Sequence, residues 1–338
     1  MESKCIFYCI NDVEKKKKVR PSYKIVKKNF YLMNELTNIA KIQEYTDNFC
    51  TYDNSLELLI YEFEDEDMEF DVGKRDNTLL LKIKTDELIY LKNYLKTASL
   101  SSFKIYISSI IHFYKHMLQS ISLLVTNQLV HNNINIDSIY VNKFELPLLT
   151  DFMFSIDISK PDIHLYIKHF FIAYEPTYLQ WPLEIHMLSY LLTNKLSSLS
   201  SYNIENIICN VIDNHTILKT FGSSLVSSYK EEALIYFKKY VNQSYEFILN
   251  DILQFYSTWD NYALSILFLQ ILIDIYKSLK INNKFIIYFM KLLVSTIHLN
   301  PLKRDSVSSC TNKFQNILDT LESKDYYQLT FLSLTSSG

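Results

Sequence analysis

The segment LVHNNINIDSIYVNKFELPLLTDFMFSID, residues 129–157, decides how the rest of the chain is interpreted. It combines short apolar runs, which predict buried strands, with intervening loops rich in asparagine and aspartate. Asn133 and Asp151, the polar residues at the two ends of this pattern, are eighteen positions apart in the numbering. Loops that follow buried strands often carry binding or catalytic side chains. We therefore expect the functional site of the protein in this segment.

The composition limits the fold and the class of partner. The chain has 338 residues, of which 48% are hydrophobic, and this favours one bilobed domain or two closely joined domains. The net charge is −3 and the pI is about 6.3, so we expect no nucleic-acid partner that binds through bulk positive charge. With 3 glycines, the sequence lacks Walker-type and dinucleotide-binding loops, and its many Ile, Asn and Lys residues indicate an AT-rich genome.

The cysteines and the apolar stretches bear on the cellular compartment. Five cysteines without paired spacing favour a reducing environment over a disulfide framework or a cysteine metal site. We expect no secretory signal, because no charged region followed by an apolar core opens the sequence. The longest apolar stretch, residues 262–276, is too short for a bilayer and contains Asp274, which predicts a buried helix and no membrane partner. The cysteines are Cys5, Cys9, Cys50, Cys209 and Cys310.

Strand-type runs occupy the first quarter of the chain, and helical patterns occupy the remainder. This order predicts an α+β fold in two lobes, with a boundary near Lys84 and with Thr85 as a helix N-cap. Strands are predicted at 5–10, 23–28, 56–63 and 78–84, and the first helix at 30–49. Later helices are predicted at 101–127, 182–196, 228–256, 260–279 and 283–298.

Residues 129–157 resemble the catalytic core of protein kinases, in which H-R-D-x-x-x-x-N is followed by two strands and then by D-F-G. His131-Asn132-Asn133 corresponds to H-R-D, and Ser138 corresponds to the final Asn of that motif. Asp151-Phe152-Met153 stands where D-F-G is expected.

Further landmarks follow in the order that the kinase family uses. Pro182-Leu183-Glu184 stands at the A-P-E position, Asp260 at the head of a later helix, and Arg304 where the family pairs an arginine with the A-P-E glutamate. Upstream, Lys28 or Lys27 resembles the strand lysine and Glu35 the helix glutamate. The WPLEIH stretch and the AT-rich composition are most similar to kinase-like proteins of giant nucleocytoplasmic DNA viruses.

The resemblance covers roughly residues 20–320 and implies a bilobed protein kinase-like fold. Residues 1–84 would form a reduced, strand-rich N-lobe, and residues 85–338 a helical C-lobe with an extended segment at about 190–255. That segment is longer than in most kinases and is a candidate partner surface.

The resemblance also implies roles for single residues. Asp151 would bind Mg²⁺, and Lys28 with Glu35 would hold the ATP phosphates. Glu184 and Arg304 would form a buried ion pair. Three further residues would have structural roles: Asp260 would accept N–H groups of the loop, His131 would be a core histidine bonded to nearby backbone, and His186 would pack below the activation segment.

The residues that carry phosphoryl transfer in the family are replaced in this chain. Asn133 stands at the base position, and an amide has no useful basicity. Asn135 replaces the loop lysine that steadies the phosphate, and Ser138 replaces the asparagine that binds a second Mg²⁺. No glycine precedes Gly73, so a glycine-rich phosphate loop is missing, and Met153 removes the D-F-G hinge. We expect a fixed segment with the Met153 side chain packed among apolar groups.

Three functional hypotheses remain. The first is a pseudokinase, a binding, scaffold or regulatory module for a viral or host protein in the host cytoplasm or the virion. It requires no cofactor, ATP and Mg²⁺ would bind weakly at most, and Asp151 merely caps a turn while Lys28 is solvated. The second is an active atypical Ser/Thr kinase with Asp137 as a displaced base. The third is a structural protein whose motif matches are coincidental.

Overall fold

The computed structural model of the protein describes residues 6–8, 23–27, 30–51, 78–82, 88–101, 103–171, 173–279 and 284–320. Within these residues helices predominate and strands are short, so the protein is of the α+β class, as the sequence predicts. The predicted strand 56–63, the boundary at Lys84, the N-cap Thr85 and the candidate lysine Lys28 lie outside the described residues.

The described strands are β1 (Ile6–Tyr8), β2 (Tyr23–Lys27), β3 (Thr78–Lys82), β4 (Ile89–Tyr90), β5 (Leu129–Val130), β6 (Ile139–Val141), β7 (Pro147–Leu149) and β8 (Ile156–Asp157). They form antiparallel sheets in the orders β1-β2-β3 and β4-β6-β7, and β5 pairs with β8. In the last pair Leu129 lies opposite Asp157, so the two ends of the segment 129–157 meet. This pairing brings the loop after β5 next to the loop after β7.

The described helices are α1 (Phe30–Ala40), α2 (Leu91–Ser101), α3 (Phe103–Thr126), α4 (Ile163–Tyr166), α5 (Leu183–Thr193), α6 (Ser201–Asn214), α7 (Thr216–Lys219), α8 (Ser223–Phe237), α9 (Tyr245–Leu253), α10 (Tyr256–Leu279), α11 (Lys284–Thr296) and α12 (Val307–Asp319). Most of α10 is buried on every side, which fits the unbroken apolar sequence that predicted a core helix.

An aromatic cluster joins α3 to the C-terminal helices. The fully buried Tyr114 of α3 packs against Phe268 of α10, Phe289 of α11 and Phe314 of α12, with ring centroids 5.1, 4.8 and 4.8 Å away. Edge-to-face aromatic pairs contribute about 0.5–1.5 kcal/mol each beyond their area burial. This cluster packs α3 against the three C-terminal helices.

Two predicted helices are shorter than their sequence patterns suggest. The first ends at Ala40, and turns occupy most of residues 41–48. The pattern at 228–256 predicted one helix, which is wrong, because α8 and α9 are separate. Asn242 adopts a left-handed conformation (φ 57°) and donates its N–H to the carbonyl of Leu199, and Ser244 then caps α9. The left-handed Asn242 and the capping Ser244 separate α8 from α9, although the apolar periodicity of the sequence continues through this region.

The helix that was expected to begin at Asp260 begins at Tyr256, so Asp260 lies within it and faces the loop after β5. Within the described ranges, no helix is long and apolar enough to cross a membrane.

Candidate functional site

The loop between β5 and β6, residues 131–138, is held by Asp260 of α10. Asp260 Oδ2 accepts the backbone N–H of His131 at 2.7 Å, and Oδ1 accepts that of Asn132 at 2.9 Å. Asp260 was predicted to accept N–H groups of this loop, and both hydrogen bonds are present. Burial raises the pKa of the Asp260 carboxyl, although His131 and the two N–H groups act in the opposite direction. The carboxylate fixes a loop in which Asn132 is left-handed, with φ of 62°.

Glu184 and Arg304 form the expected ion pair between α5 and the loop before α12. Arg304 Nη1 donates to Glu184 Oε1 at 2.7 Å, Nη2 donates to Oε2, and both side chains are 0% exposed. Trp259 Nε1 also donates to Glu184 Oε1, and Arg304 Nε donates to the carbonyl of His298. Buried charges are tolerated when they are paired and hydrogen-bonded in this way. Asp260, Glu184 and Arg304 are called the frame below.

The two histidines of the site are buried and neutral. His131 Nε2 lies 2.7 Å from the carbonyl oxygen of Thr150, and its Nδ1 accepts the N–H of Asn133. Burial lowers the pKa of His131, although Asp260 and the bond to the Thr150 carbonyl act in the opposite direction. His186 is buried beside the rings of Tyr174 and Trp181, and burial lowers its pKa to about 4. Neither ring is placed as a general base.

Asn133 lies at the centre of a set of side-chain hydrogen bonds. Its amide nitrogen donates to Asp151 Oδ2 at 3.2 Å, and its amide oxygen accepts from Asn135 Nδ2 at 3.0 Å. The same oxygen accepts the hydroxyl of Tyr178 at 2.8 Å. These four side chains, Asn133, Asn135, Asp151 and Tyr178, are called the polar cluster. It brings together three predicted site residues and one that was not predicted.

Ser138 and Asp137 have structural positions. The Ser138 hydroxyl accepts the N–H of Asn135 at 3.0 Å and donates to its carbonyl at 3.1 Å, so it closes the turn of the loop. Ser138 is buried. Asp137 donates its N–H to Asn135 Oδ1, and the residue is exposed. This places Asp137 in the surface turn rather than in the polar cluster.

The oxygen donors of the loop do not fit a magnesium site. Mg²⁺ requires an octahedron of oxygen ligands. The group that faces the Asp151 carboxylate is the Asn133 amide nitrogen, which is a donor and repels a cation. The Ser138 hydroxyl is engaged within its own turn. Asp151 is the N-cap residue of the following 3-10 turn, and its side chain makes no capping hydrogen bond there.

A surface segment, residues 174–181, crosses the loop. Besides the Tyr178 hydroxyl, the indole Nε1 of Trp181 donates to the carbonyl of Asn132 at 3.3 Å. Tyr178 and Trp181 pack edge to face, with ring centroids 5.2 Å apart. Burial and the Asp151 carboxylate raise the pKa of the Tyr178 phenol to about 12, against a hydrogen bond that acts in the opposite direction. Tyr178 is therefore a hydrogen-bond donor at neutral pH.

Helix α1 is attached to the segment after Asp151 by two buried asparagines one turn apart. Asn34 Nδ2 donates to the carbonyls of Met153 at 3.1 Å and Ser155 at 2.7 Å. Asn38 Nδ2 donates to the carbonyl and the hydroxyl of Ser155 at 3.1 and 2.7 Å. The Tyr166 hydroxyl donates to Asn34 Oδ1 from the other side. The backbone of this segment is therefore pinned to α1 at two residues.

Two further contacts fix the same segment. Met153 is 6% exposed, in agreement with the expectation that its side chain is packed. Lys41, just beyond α1, forms an ion pair with Asp157 at 2.7 Å. Burial raises the pKa of the Asp157 carboxyl, but hydrogen bonds from Lys41 and Ser159 outweigh it and the net shift is downward.

Glu35 lies on α1 between the two asparagines and is fully buried. The Glu35 side chain acts to raise the pKa of His131, against the effect of burial. Lys27 ends β2, but its side chain is not among those described. The expected lysine partner of Glu35, Lys28 or Lys27, stays a prediction.

Four residues of the site were not predicted from the sequence: Asn34, Asn38, Tyr178 and Trp181. The asparagine pair could have been predicted, because two asparagines four positions apart inside a helix are unfavourable unless their amides form hydrogen bonds. No pattern in the sequence marks Tyr178 as a residue of the site.

Comparison of the chain with protein-family models and with curated proteins finds no match in either case. In the part of the chain that the structure describes, no group of three or more His, Cys, Asp or Glu side chains is arranged to hold a metal ion.

Proposed function

We propose that the protein is a catalytically inactive homologue of protein kinases, a pseudokinase that acts as a binding, scaffold or regulatory module for a viral or host protein. The proposal includes a kinase-like fold, with residues 1–84 as a reduced N-lobe and 85–338 as the C-lobe. It requires neither ATP nor Mg²⁺.

The observation that carries the proposal is the environment of Asn133. A kinase needs a carboxylate at this position to orient the substrate hydroxyl and accept its proton. The side chain here is an amide whose oxygen accepts from Asn135 and Tyr178 and whose nitrogen donates to Asp151. The position is neutral, and its hydrogen bonds are already made within the chain.

The frame supports the kinase-like part of the proposal. Asp260 holds the loop backbone, and Glu184 and Arg304 are paired, which are the contacts that the resemblance implies for these positions. Contacts that support the loop are therefore kept, whereas groups that transfer phosphate are replaced. This contrast is expected of a fold that is retained for binding.

The extended segment at about 190–255 is the proposed partner surface. Its helices expose Tyr202, Ile235 and Phe247, which are 75, 70 and 46% accessible. Apolar side chains that protrude from otherwise polar helix surfaces are common anchors in protein interfaces.

The test is phosphate transfer from radiolabelled ATP to the protein itself and to a generic protein substrate, with Mg²⁺ or Mn²⁺. We expect no transfer above the level of the Asp151→Ala variant. Thermal unfolding with saturating ATP and Mg²⁺, and again with EDTA, gives a second measurement. A ligand at a hundred times its dissociation constant adds about 2.7 kcal/mol, which shifts the midpoint by several degrees. Metal-dependent transfer that Asp151→Ala abolishes would show an active kinase instead.

A further inference from the structure

The segment at residues 174–181, called the strap, is anchored at both ends and forms a turn of its own in the middle. Its ends are anchored by rings, Tyr174 against Tyr190 at 5.0 Å and Trp181 against Phe171 at 5.4 Å. Between them, Tyr178 donates its N–H to the carbonyl of Glu175 at 3.1 Å. The Thr177 hydroxyl and N–H donate to the Glu175 carboxylate. The middle of the strap is a self-contained surface turn.

One hydroxyl connects this turn to the loop below. Tyr178 donates to Asn133 Oδ1, which also accepts from Asn135 Nδ2. The orientation of the Asn133 amide is fixed, because a flipped amide would turn its nitrogen towards these two donors and its oxygen towards the Asp151 carboxylate. Asn133 therefore presents an oriented acceptor to a phenolic hydroxyl.

We propose that Asn133 and Trp181 form a binding site for an unmodified tyrosine side chain of a partner protein, and that Tyr178 occupies this site in the free chain. The inference rests on the proposed function, because it assigns the former substrate position to recognition. The partner segment would displace Tyr178 and take over its hydrogen bond and its contact with the indole.

The groups around Asn133 select the ligand by its charge and by whether it carries a hydrogen-bond donor. The acceptor at Asn133 requires a hydroxyl, which phenylalanine lacks. The Asp151 carboxylate, hydrogen-bonded to the same amide, repels the phosphate of a phosphotyrosine, which also has no hydroxyl donor at neutral pH. The indole of Trp181 offers an aromatic edge at the distance at which it now meets Tyr178, 5.2 Å between centroids.

The test uses the full chain with Tyr178→Gly, which vacates the site and leaves Asn133 in place. The probes are N-acetyl-tyrosine amide, N-acetyl-phenylalanine amide and N-acetyl-phosphotyrosine amide, titrated while the side-chain amide signal of Asn133 is followed by NMR. We expect the tyrosine probe to bind roughly two- to tenfold more tightly than the phenylalanine probe, as one neutral hydrogen bond gives. The phosphotyrosine probe should bind least well.

Two controls are built into the chain. Adding Asn133→Leu to Tyr178→Gly should abolish the preference for tyrosine; in this variant, which has no Asn133 amide, the indole N–H signal of Trp181 is followed instead. Tyr202→Gly, which removes an exposed tyrosine elsewhere (75% accessible), should create no site. Equal binding of the tyrosine and phenylalanine probes, or a preference that survives Asn133→Leu, would overturn the proposal.

A second variant keeps the proposal testable if Tyr178→Gly does not fold. Tyr178→Phe retains the ring and removes only the hydroxyl, so hydrogen exchange of the strap amides should accelerate roughly two- to tenfold. Unchanged exchange would mean that the hydroxyl does not hold the strap, against the proposal. None of these readouts involves ATP, so phosphate transfer by the wild type would refute inactivity while leaving the tyrosine site to be judged by the probes.

Discussion

The frame, whose Asp260 holds the backbone of the loop 131–138, and the polar cluster, which includes Asn133 and Asn135 of that loop, are built from different chemistry. The frame consists of charged groups, Asp260, Glu184 and Arg304, that are almost fully buried. The polar cluster is made mostly of neutral groups, such as Asn133 and Tyr178, and is half exposed. A buried charge tolerates no change without its partner, whereas a neutral amide near solvent exchanges one hydrogen bond for another at low cost. We therefore expect a substitution in the polar cluster to destabilise the protein less than one in the frame.

The largest loss of stability is expected when one charge of the frame is removed. Arg304→Met leaves the buried Glu184 carboxyl without its ion-pair partner, which should lower the free energy of unfolding by about 3–5 kcal/mol in urea denaturation. The double variant Glu184→Met/Arg304→Met should recover much of this loss, because no unpaired charge remains. If the double variant were as unstable as the single one, packing rather than charge would explain the effect.

The acid stability of the protein tests the neutral histidine next to the frame. The pKa of His186 is about 4 in the folded chain and about 6.5 when unfolded, so its contribution is complete above pH 6.5 and is lost as the pH falls towards 4. The unfolding free energy should fall by on the order of 3 kcal/mol over this interval from His186 alone. Urea denaturation between pH 7 and 4 measures it, and His186→Phe should flatten the curve whereas the exposed His112→Gln should not.

The hydrogen bonds that attach α1 to the segment after Asp151 are neutral but buried. Removing them should therefore have an effect on stability between that expected for the frame and that expected for the polar cluster. Asn38→Ala removes the donor to the carbonyl and hydroxyl of Ser155, which should cost about 1–3 kcal/mol. Thermal or urea unfolding gives the value. Thr37→Ala, on the exposed side of the same helix, should change stability by less than about 0.5 kcal/mol. Equal effects of the two variants would mean that helix propensity dominates.

The smallest expected effect comes from placing a charge in the polar cluster. Asn133→Asp puts a second carboxylate beside Asp151, where the amide nitrogen now donates at 3.2 Å. We expect a loss of about 1 kcal/mol at pH 7.5 that shrinks as the pH falls, since the raised pKa of one carboxyl lets the pair share a proton. Asn300→Asp, where the side chain only accepts an N–H, should be neutral. A pH-independent loss would contradict the charge explanation.

The sequence predicted the frame better than the polar cluster, for a physical reason. Asp260, Glu184 and Arg304 stand at motif positions in a fixed order, and a buried charge needs a specific partner. Tyr178 meets Asn133 across 45 positions of sequence through a neutral hydrogen bond, and no pattern in the chain marks that pairing. Apolar periodicity located the long helices but not the break near Asn242, which a left-handed residue decides.

The asparagine clamp between α1 and Ser155 also has a consequence for biosynthesis. Asn38 and Ser155 are separated by 117 positions in the chain. At a synthesis rate of about 5–20 residues per second, α1 leaves the ribosome roughly 6–23 seconds before its binding partner has been made. During this interval its buried face, including the carboxylate of Glu35, has nothing from residues 153–155 to pack against. The helix that is made first can therefore complete its buried contacts only after the middle of the chain has been made.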